Sequence, residues 1–189
     1  QSGFSAGSDV DRTYGNGPYT QEASGGQGDG KVTYSSGNTS VATVDEDTGK
    51  VTIKVAGTAT ITATKKAHGS YNEAKDSYVL TVDKAPQSPA VEAGADVSKT
   101  VGDAPYTQAA TGGSGDGAIT YGSSATGVAT VDGSGTVTIV GAGTTTITAT
   151  KAADGNYLVS SDTYTLTVTQ NQSGFSAGSD VDRTYGNGP

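Results

Sequence analysis

The chain has no cysteine, no methionine and no tryptophan, and it carries only two phenylalanines and one histidine. Each absence removes a class of chemistry. Without cysteine there are no disulfides, no thiolate zinc sites and no cysteine nucleophile. A single histidine, His68, leaves no room for a histidine metal cluster or a repeated Ser-His-Asp arrangement, and the matching place in the second half of the chain holds Asp154. His68 therefore reads as a solvated loop residue. Cations are scarce as well, with eleven Lys and Arg against nineteen Asp and Glu and a formal net charge of −8. Such a scattered, outnumbered set excludes a phosphate-neutralising nucleic-acid surface and disfavours anionic membranes. No apolar run reaches signal or membrane-spanning length, and neither end reads as a translation start, so targeting information is expected outside this segment.

What the sequence does have is repetition. Residues 172–189, QSGFSAGSDVDRTYGNGP, restate residues 1–18 letter for letter. A looser repeat lies inside that step: PYTQEASGGQGDGKVTYSSGNTSVATVD from Pro18 returns as PYTQAATGGSGDGAITYGSSATGVATVD from Pro105. The basic unit is thus about 86 residues, and the 171-residue step that restores the sequence is a pair of units. We call them X (residues 1–86) and Y (residues 87–171), with 172–189 expected to form the first strand of another X in an X-Y-X-Y array.

A unit of this size supports one small core. With 32% apolar residues and ten tyrosines, that core suits a thin β-sandwich. In X, alternation predicts strands near Gly3–Val10, Tyr19–Ala23, Lys31–Ser35, Ser40–Asp45, Lys50–Val55, Thr58–Lys65 and Ser77–Asp83. The pattern is clearest in GTATITATK, where Ala59, Ile61 and Ala63 should face the core and the intervening threonines water. The Asp-Gly steps at Asp29 and Asp116 predict tight hairpins, and DEDTGK around Asp47 and DGSGT around Asp132 predict another, one residue shorter in Y. The junctions YVLTVDKAPQSP and YTLTVTQNQSG have no flexible Gly/Ser linker, so neighbouring units are expected end to end with restricted bending.

At VATVD, GxVTI and GTxTITATK the sequence resembles the bacterial immunoglobulin-like domains of group 2, which stand in tandem in long surface proteins and adhesins. The matching residues are Val41–Asp45, Val51–Ile53 and Gly57–Lys65 in X, and Val128–Asp132, Val137–Ile139 and Gly141–Lys151 in Y. The resemblance implies an all-β fold of tandem immunoglobulin-like sandwiches arranged end to end, an extracellular or cell-surface location, and no catalytic residues.

Candidate sites are correspondingly few. The Gly-rich GGQGDGK and GGSGDGA lead into strands and lack the Lys-Ser/Thr end of a phosphate loop. The acidic pairs Asp9 and Asp11, and Asp180 and Asp182, are weak calcium candidates, set against the plainer reading of an acidic strand edge that discourages sideways pairing. Tyr14 and Tyr185 occur in X only, where Y has Val101, and are the residues to contact a glycan or protein ligand. No cofactor is required. The expected partners are neighbouring repeats of the same chain, with lateral fibre contacts, and a host or cell-surface glycan or protein reached through parts outside this segment, as further partners. Two readings follow: a structural stalk segment, or an adhesion module that binds through exposed loops and tyrosines.

Overall fold

The computed structural model describes residues 1–171 and contains no helix among them. Seven strands form in each unit. In X they are β1 (Val10–Thr13), β2 (Tyr19–Thr20), β3 (Val32–Ser36), β4 (Ala42–Val44), β5 (Lys50–Ile53), β6 (Gly57–Lys65) and β7 (Ala74–Asp83). In Y they are β8 (Val97–Thr100), β9 (Tyr106–Thr107), β10 (Ile119–Ser123), β11 (Ala129–Val131), β12 (Thr136–Ile139), β13 (Gly143–Lys151) and β14 (Ser160–Thr169). X has one sheet ordered β1-β7-β6-β3 and a second ordered β2-β5-β4; Y repeats both as β8-β14-β13-β10 and β9-β12-β11. No sheet mixes strands of the two units, and the result is two immunoglobulin-like β-sandwiches in tandem.

The cores follow the period-2 pattern. Ala59, Ile61 and Ala63 of β6 are buried together with Tyr78, Leu80 and Val82 of β7 and Val51 of β5. Ile147, Ala149, Tyr164, Leu166, Val168 and Val137 do the same in Y. On the other face of β6, Thr58 and Thr60 are exposed, as the alternation requires. The β4–β5 turn is the hairpin anticipated at DEDTGK: Asp45 N–H donates to the Lys50 carbonyl at 2.9 Å, and Gly49 takes the positive φ of 69° that closes it. Its counterpart in Y closes from Asp132 to Thr136, one residue shorter.

Two expectations are corrected. The first strand does not run from Gly3 to Val10; it begins at Val10, because Asp9 Oδ1 accepts the Val79 N–H at 2.8 Å and the ladder with β7 opens only beyond that bond. The Asp-Gly steps at Asp29 and Asp116 do not make hairpins either. The strands they separate pair in different sheets, β2 with β5 and β3 with β6, so the segment crosses between layers. The positive φ falls one residue earlier than the Asp-Gly reading requires, at Gly28 and Gly115.

One pairing positions everything that follows. The first and last strands of each unit run parallel, Val10–Thr13 against Leu80–Asp83 and Val97–Thr100 against Leu166–Thr169. All other strand pairs among the described residues are antiparallel. A chain whose first and last strands point the same way enters a unit at one pole and leaves it at the other. The entry pole of X holds Gln1, whose Nε2 donates to the Asn72 carbonyl at 2.7 Å; the exit pole holds Tyr14, whose N–H donates to the Asp83 carbonyl at 2.8 Å.

Candidate functional site at the seam between the units

Three of the four tyrosine pairs shared by the units are structural. Tyr19 and Tyr78 share a hydrogen bond between hydroxyls at 3.3 Å, as do Tyr106 and Tyr164. Burial, reinforced by the neighbouring phenol, lifts the Tyr78 and Tyr164 hydroxyls well above the ordinary phenol range, so both stay neutral. Tyr34 and Tyr121 accept the backbone N–H of Ala23 at 2.9 Å and of Ala110 at 2.7 Å. The Arg12 guanidinium lies 4.6 Å from the centre of the Tyr19 ring, and the Lys99 ammonium 5.1 Å from that of Tyr106. Each unit therefore secures its first strand onto its second sheet with a cation over a tyrosine.

The acidic candidates separate. Asp9 is committed to the Val79 N–H, and its counterpart Asp96 makes the same bond to the Thr165 N–H at 2.7 Å. The bond recurs in both units, which marks Asp9 as a strand-edge anchor. Asp11 is an exposed position of β1. Asp180, Asp182 and Tyr185 lie outside the described residues. Among the described residues, no three His, Cys, Asp or Glu side chains converge where a metal ion could be held. A shallow groove on X, lined by Gly37, Asn38, Thr58, Ala59, Thr60 and Val79, gathers no titratable group.

Tyr14 leads to the most extensive set of contacts between the units among the described residues. Its ring meets Tyr157 of Y edge-on, with centroids 5.4 Å apart and planes at 86°. Around this contact the exit pole of X is held by the loop Asp154–Leu158 of Y. Ala56 N–H donates to Asn156 Oδ1 at 3.0 Å, Ala85 N–H donates to the Asn156 carbonyl at 2.9 Å, and Leu158 N–H returns a bond to the Ala85 carbonyl at 2.8 Å. Lys84 Nζ donates to the Asp154 carbonyl at 2.7 Å, and just past the junction, within Y, Gln87 Nε2 donates to the Leu158 carbonyl at 2.8 Å. Ser114 N–H closes the set by donating to Gln87 Oε1.

The loop takes its shape from bonds made within Y. Asp154 Oδ1 accepts the N–H groups of Asn156 and Tyr157 at 2.7 and 2.8 Å, and Oδ2 accepts that of Asp116 at 2.8 Å. Those backbone donors hold its carboxyl below the usual range. Tyr157 then lies on Gly115, where a Cβ would come within 2.7 Å of its ring. Sequence reasoning missed Asn156 altogether, since a bond between residues 100 positions apart leaves no local motif. The available signal was the difference between units: AHGSY in X against ADGNY in Y, changed at two positions around a fixed Gly and Tyr.

A sequence model of the intimin immunoglobulin-like domain matches residues 15–67 and again 104–153, together more than half of the chain. The chain belongs to the intimin immunoglobulin-like domain family. The two matches fall one in each sandwich, and both intimin-type domains take part in the seam. No curated protein matches the chain. Among solved structures, it is similar to human protocadherin-24 EC1-2, at 13% identity over 87% of this chain and 94% of that one, with a TM-score of 0.35. It is also similar to domains 1-6 of the surface layer protein SbsC, at 24% identity over 75% of this chain and 20% of that one, with a TM-score of 0.36.

Proposed function

We propose that this chain is a segment of a long extracellular stalk, in which tandem immunoglobulin-like units bounded at 1–86 and 87–171 supply length and restrict bending, without catalysis. Membership of the intimin domain family supports a cell-surface setting. The finer placement among the group 2 repeats of large adhesins rests on the VATVD and GTxTITATK segments present in both units. Neighbouring repeats of the same chain are the partners this reading requires.

The observation that carries the proposal is the seam. A flexible pair of beads needs no inter-unit bonds, whereas here the exit of X is bonded through Ala56, Lys84 and Ala85 to one loop of Y. Parallel first and last strands turn that bonded exit into forward growth, since each unit leaves at the pole opposite its entry.

Negative-stain electron microscopy of chains carrying increasing numbers of the 171-residue repeat tests it. Strands of eight to ten residues at about 3.3 Å per residue, plus loops, make a unit roughly 40 Å long, so contour length should grow by about 80 Å per X-Y pair. Thin rods lengthening at that rate support the stalk. Compact particles whose diameter grows only slowly with copy number would reject it.

A further inference from the structure

The same fold occurs twice, so each pole of a unit can be seen both covered and open. At the entry pole, Y is covered by X: Asp154, Asn156 and Tyr157 are half-buried, whereas their counterparts His68, Ser70 and Tyr71 in X are exposed, Tyr71 at 43%. At the exit pole the situation reverses. Tyr14 and Ala56 of X are half-buried and Ala85 is buried, whereas Val101, Ala142 and Asn171 of Y are exposed, Val101 at 39%. Val140, which stands where X has Lys54, is 55% exposed on the same exit pole. An apolar residue has thus replaced a lysine on the open pole of Y, and a tyrosine stands uncovered on the open pole of X.

We infer that these two open poles are the halves of a second seam: the exit pole of Y, through Val101 and Val140, seats on the Tyr71 pole of the X unit that follows it in tandem copies. Three observations on this chain carry it. The receiving ring is already in place, since Tyr71 lies on Gly28 as Tyr157 lies on Gly115, with a Cβ at Gly28 coming within 2.9 Å of the Tyr71 ring. Gln1 grips the Asn72 carbonyl as Gln87 grips that of Leu158, so the loop presents the same backbone to an incoming chain. The replacement of Tyr14 by Val101, with Val140 also exposed, supplies an apolar surface for Tyr71, the counterpart of the Tyr157 ring that Tyr14 covers at the first seam.

The second seam is built with fewer polar clamps. Ser70 replaces Asn156, and its shorter side chain cannot reproduce the bond that Asn156 Oδ1 accepts from Ala56 N–H. The Asp154 carboxylate, which fixes two backbone N–H groups of its loop and that of Asp116, is replaced by His68, whose Nδ1 accepts only a long bond of 3.4 Å from Asp29 N–H. The array therefore alternates a bonded seam with an apolar one.

This inference rests on the stalk reading, and its test is separate from the measurement of rod length. Two copies of residues 1–171 are joined head to tail, the first carrying Tyr71→Phe so that the reporting Tyr71 peptide belongs to the second. Hydroxyl-radical footprinting with mass spectrometry then compares Tyr71 with Tyr157 of the same molecule. The expected result is loss of Tyr71 labelling from its rate in the single chain to the rate of Tyr157, with restoration when Val101→Asp and Val140→Asp are introduced in the first copy. These positions are exposed, so the variant keeps its fold, and an unchanged melt verifies that. Labelling of Tyr71 that stays at the single-chain rate while Tyr157 remains protected would overturn the second seam and leave the stalk standing. Protection that survives the double Asp variant would overturn the assignment to Val101 and Val140.

Discussion

In X the central strand buries Ala59 at 2% exposure, and the neighbouring Ser36 hydroxyl turns away to donate to the Ala42 carbonyl at 2.7 Å. In Y the same place holds Thr145, equally buried, and its hydroxyl joins Ser123 Oγ at 2.8 Å and Ser124 Oγ at 3.2 Å and accepts the Ala125 N–H at 3.0 Å. The difference extends into the adjoining loop. X has Asn38, whose side chain donates to the Thr58 carbonyl at 3.1 Å, where Y has Ala125. A hydroxyl has entered the core of Y together with partners for it, while X supplies a loop amide and keeps a methyl. The sandwich accepts either solution because no polar atom in this corner is left unpartnered, and it would accept a mixture of the two far less well.

The largest effect breaks one unit and leaves the other as its control. Burying an isoleucine contributes about 1.5–3 kcal/mol, and a carboxylate in its place adds several kcal/mol of desolvation. Ile61→Asp should abolish the X transition in calorimetry while the Y transition survives, and Ile147→Asp should do the reverse. Loss of both transitions from either variant would mean that the seam couples the units into one folding body.

A smaller change sharpens the comparison at Thr145. Thr145→Val keeps the shape and removes the hydroxyl, leaving Ser123, Ser124 and the Ala125 N–H to find other partners, at a cost of about 1–3 kcal/mol. The Y transition should move down and the X transition stay. Its mirror, Ala59→Thr in X, inserts atoms where Asn38 rather than Ala125 lines the loop, and overpacking there costs about 1–3 kcal/mol. If both variants melt like the parent chain, the polar corner has no energetic role.

The smallest effect concerns the two entry loops and is read through pH. Asp154 has its native pKa depressed by backbone donors, so its contribution is complete above the unfolded carboxylate value of about 4 and disappears as pH falls through the native value. Asp154→Asn should therefore lower the Y melting temperature at pH 7, with the gap from the parent closing below about pH 4. The reciprocal His68→Asp should bring a new acid-sensitive increment to X. A gap for Asp154→Asn that is constant with pH would show that shape, and not charge, holds the loop.

How much of this could be read from the sequence depended on how local the cause was. Strands β3 to β7 and the inward face of β6 were legible because alternation is a property of neighbours, and the β4–β5 hairpin because Gly49 supplies its turn within five residues of Asp45. The start of β1 was misplaced because a side chain 70 positions away from its partner, Asp9 bonding Val79, decides where pairing opens. The Asp-Gly segments looked like hairpins because sequence gives no sign that the flanking strands belong to different sheets. Tyr14 stood out as peculiar to X, and the structure gives it a place against Tyr157 that no single-unit reading contains.

The parallel pairing of first and last strands also decides how force would pass through a unit. A pull on the two ends of X drags β1 and β7 past each other along their length, so the hydrogen bonds between Val10–Thr13 and Leu80–Asp83 share the load side by side. An antiparallel pair with both ends at one pole would instead peel open bond by bond. The short strands β1 and β8, four residues each, are thus where X and Y would resist being drawn out.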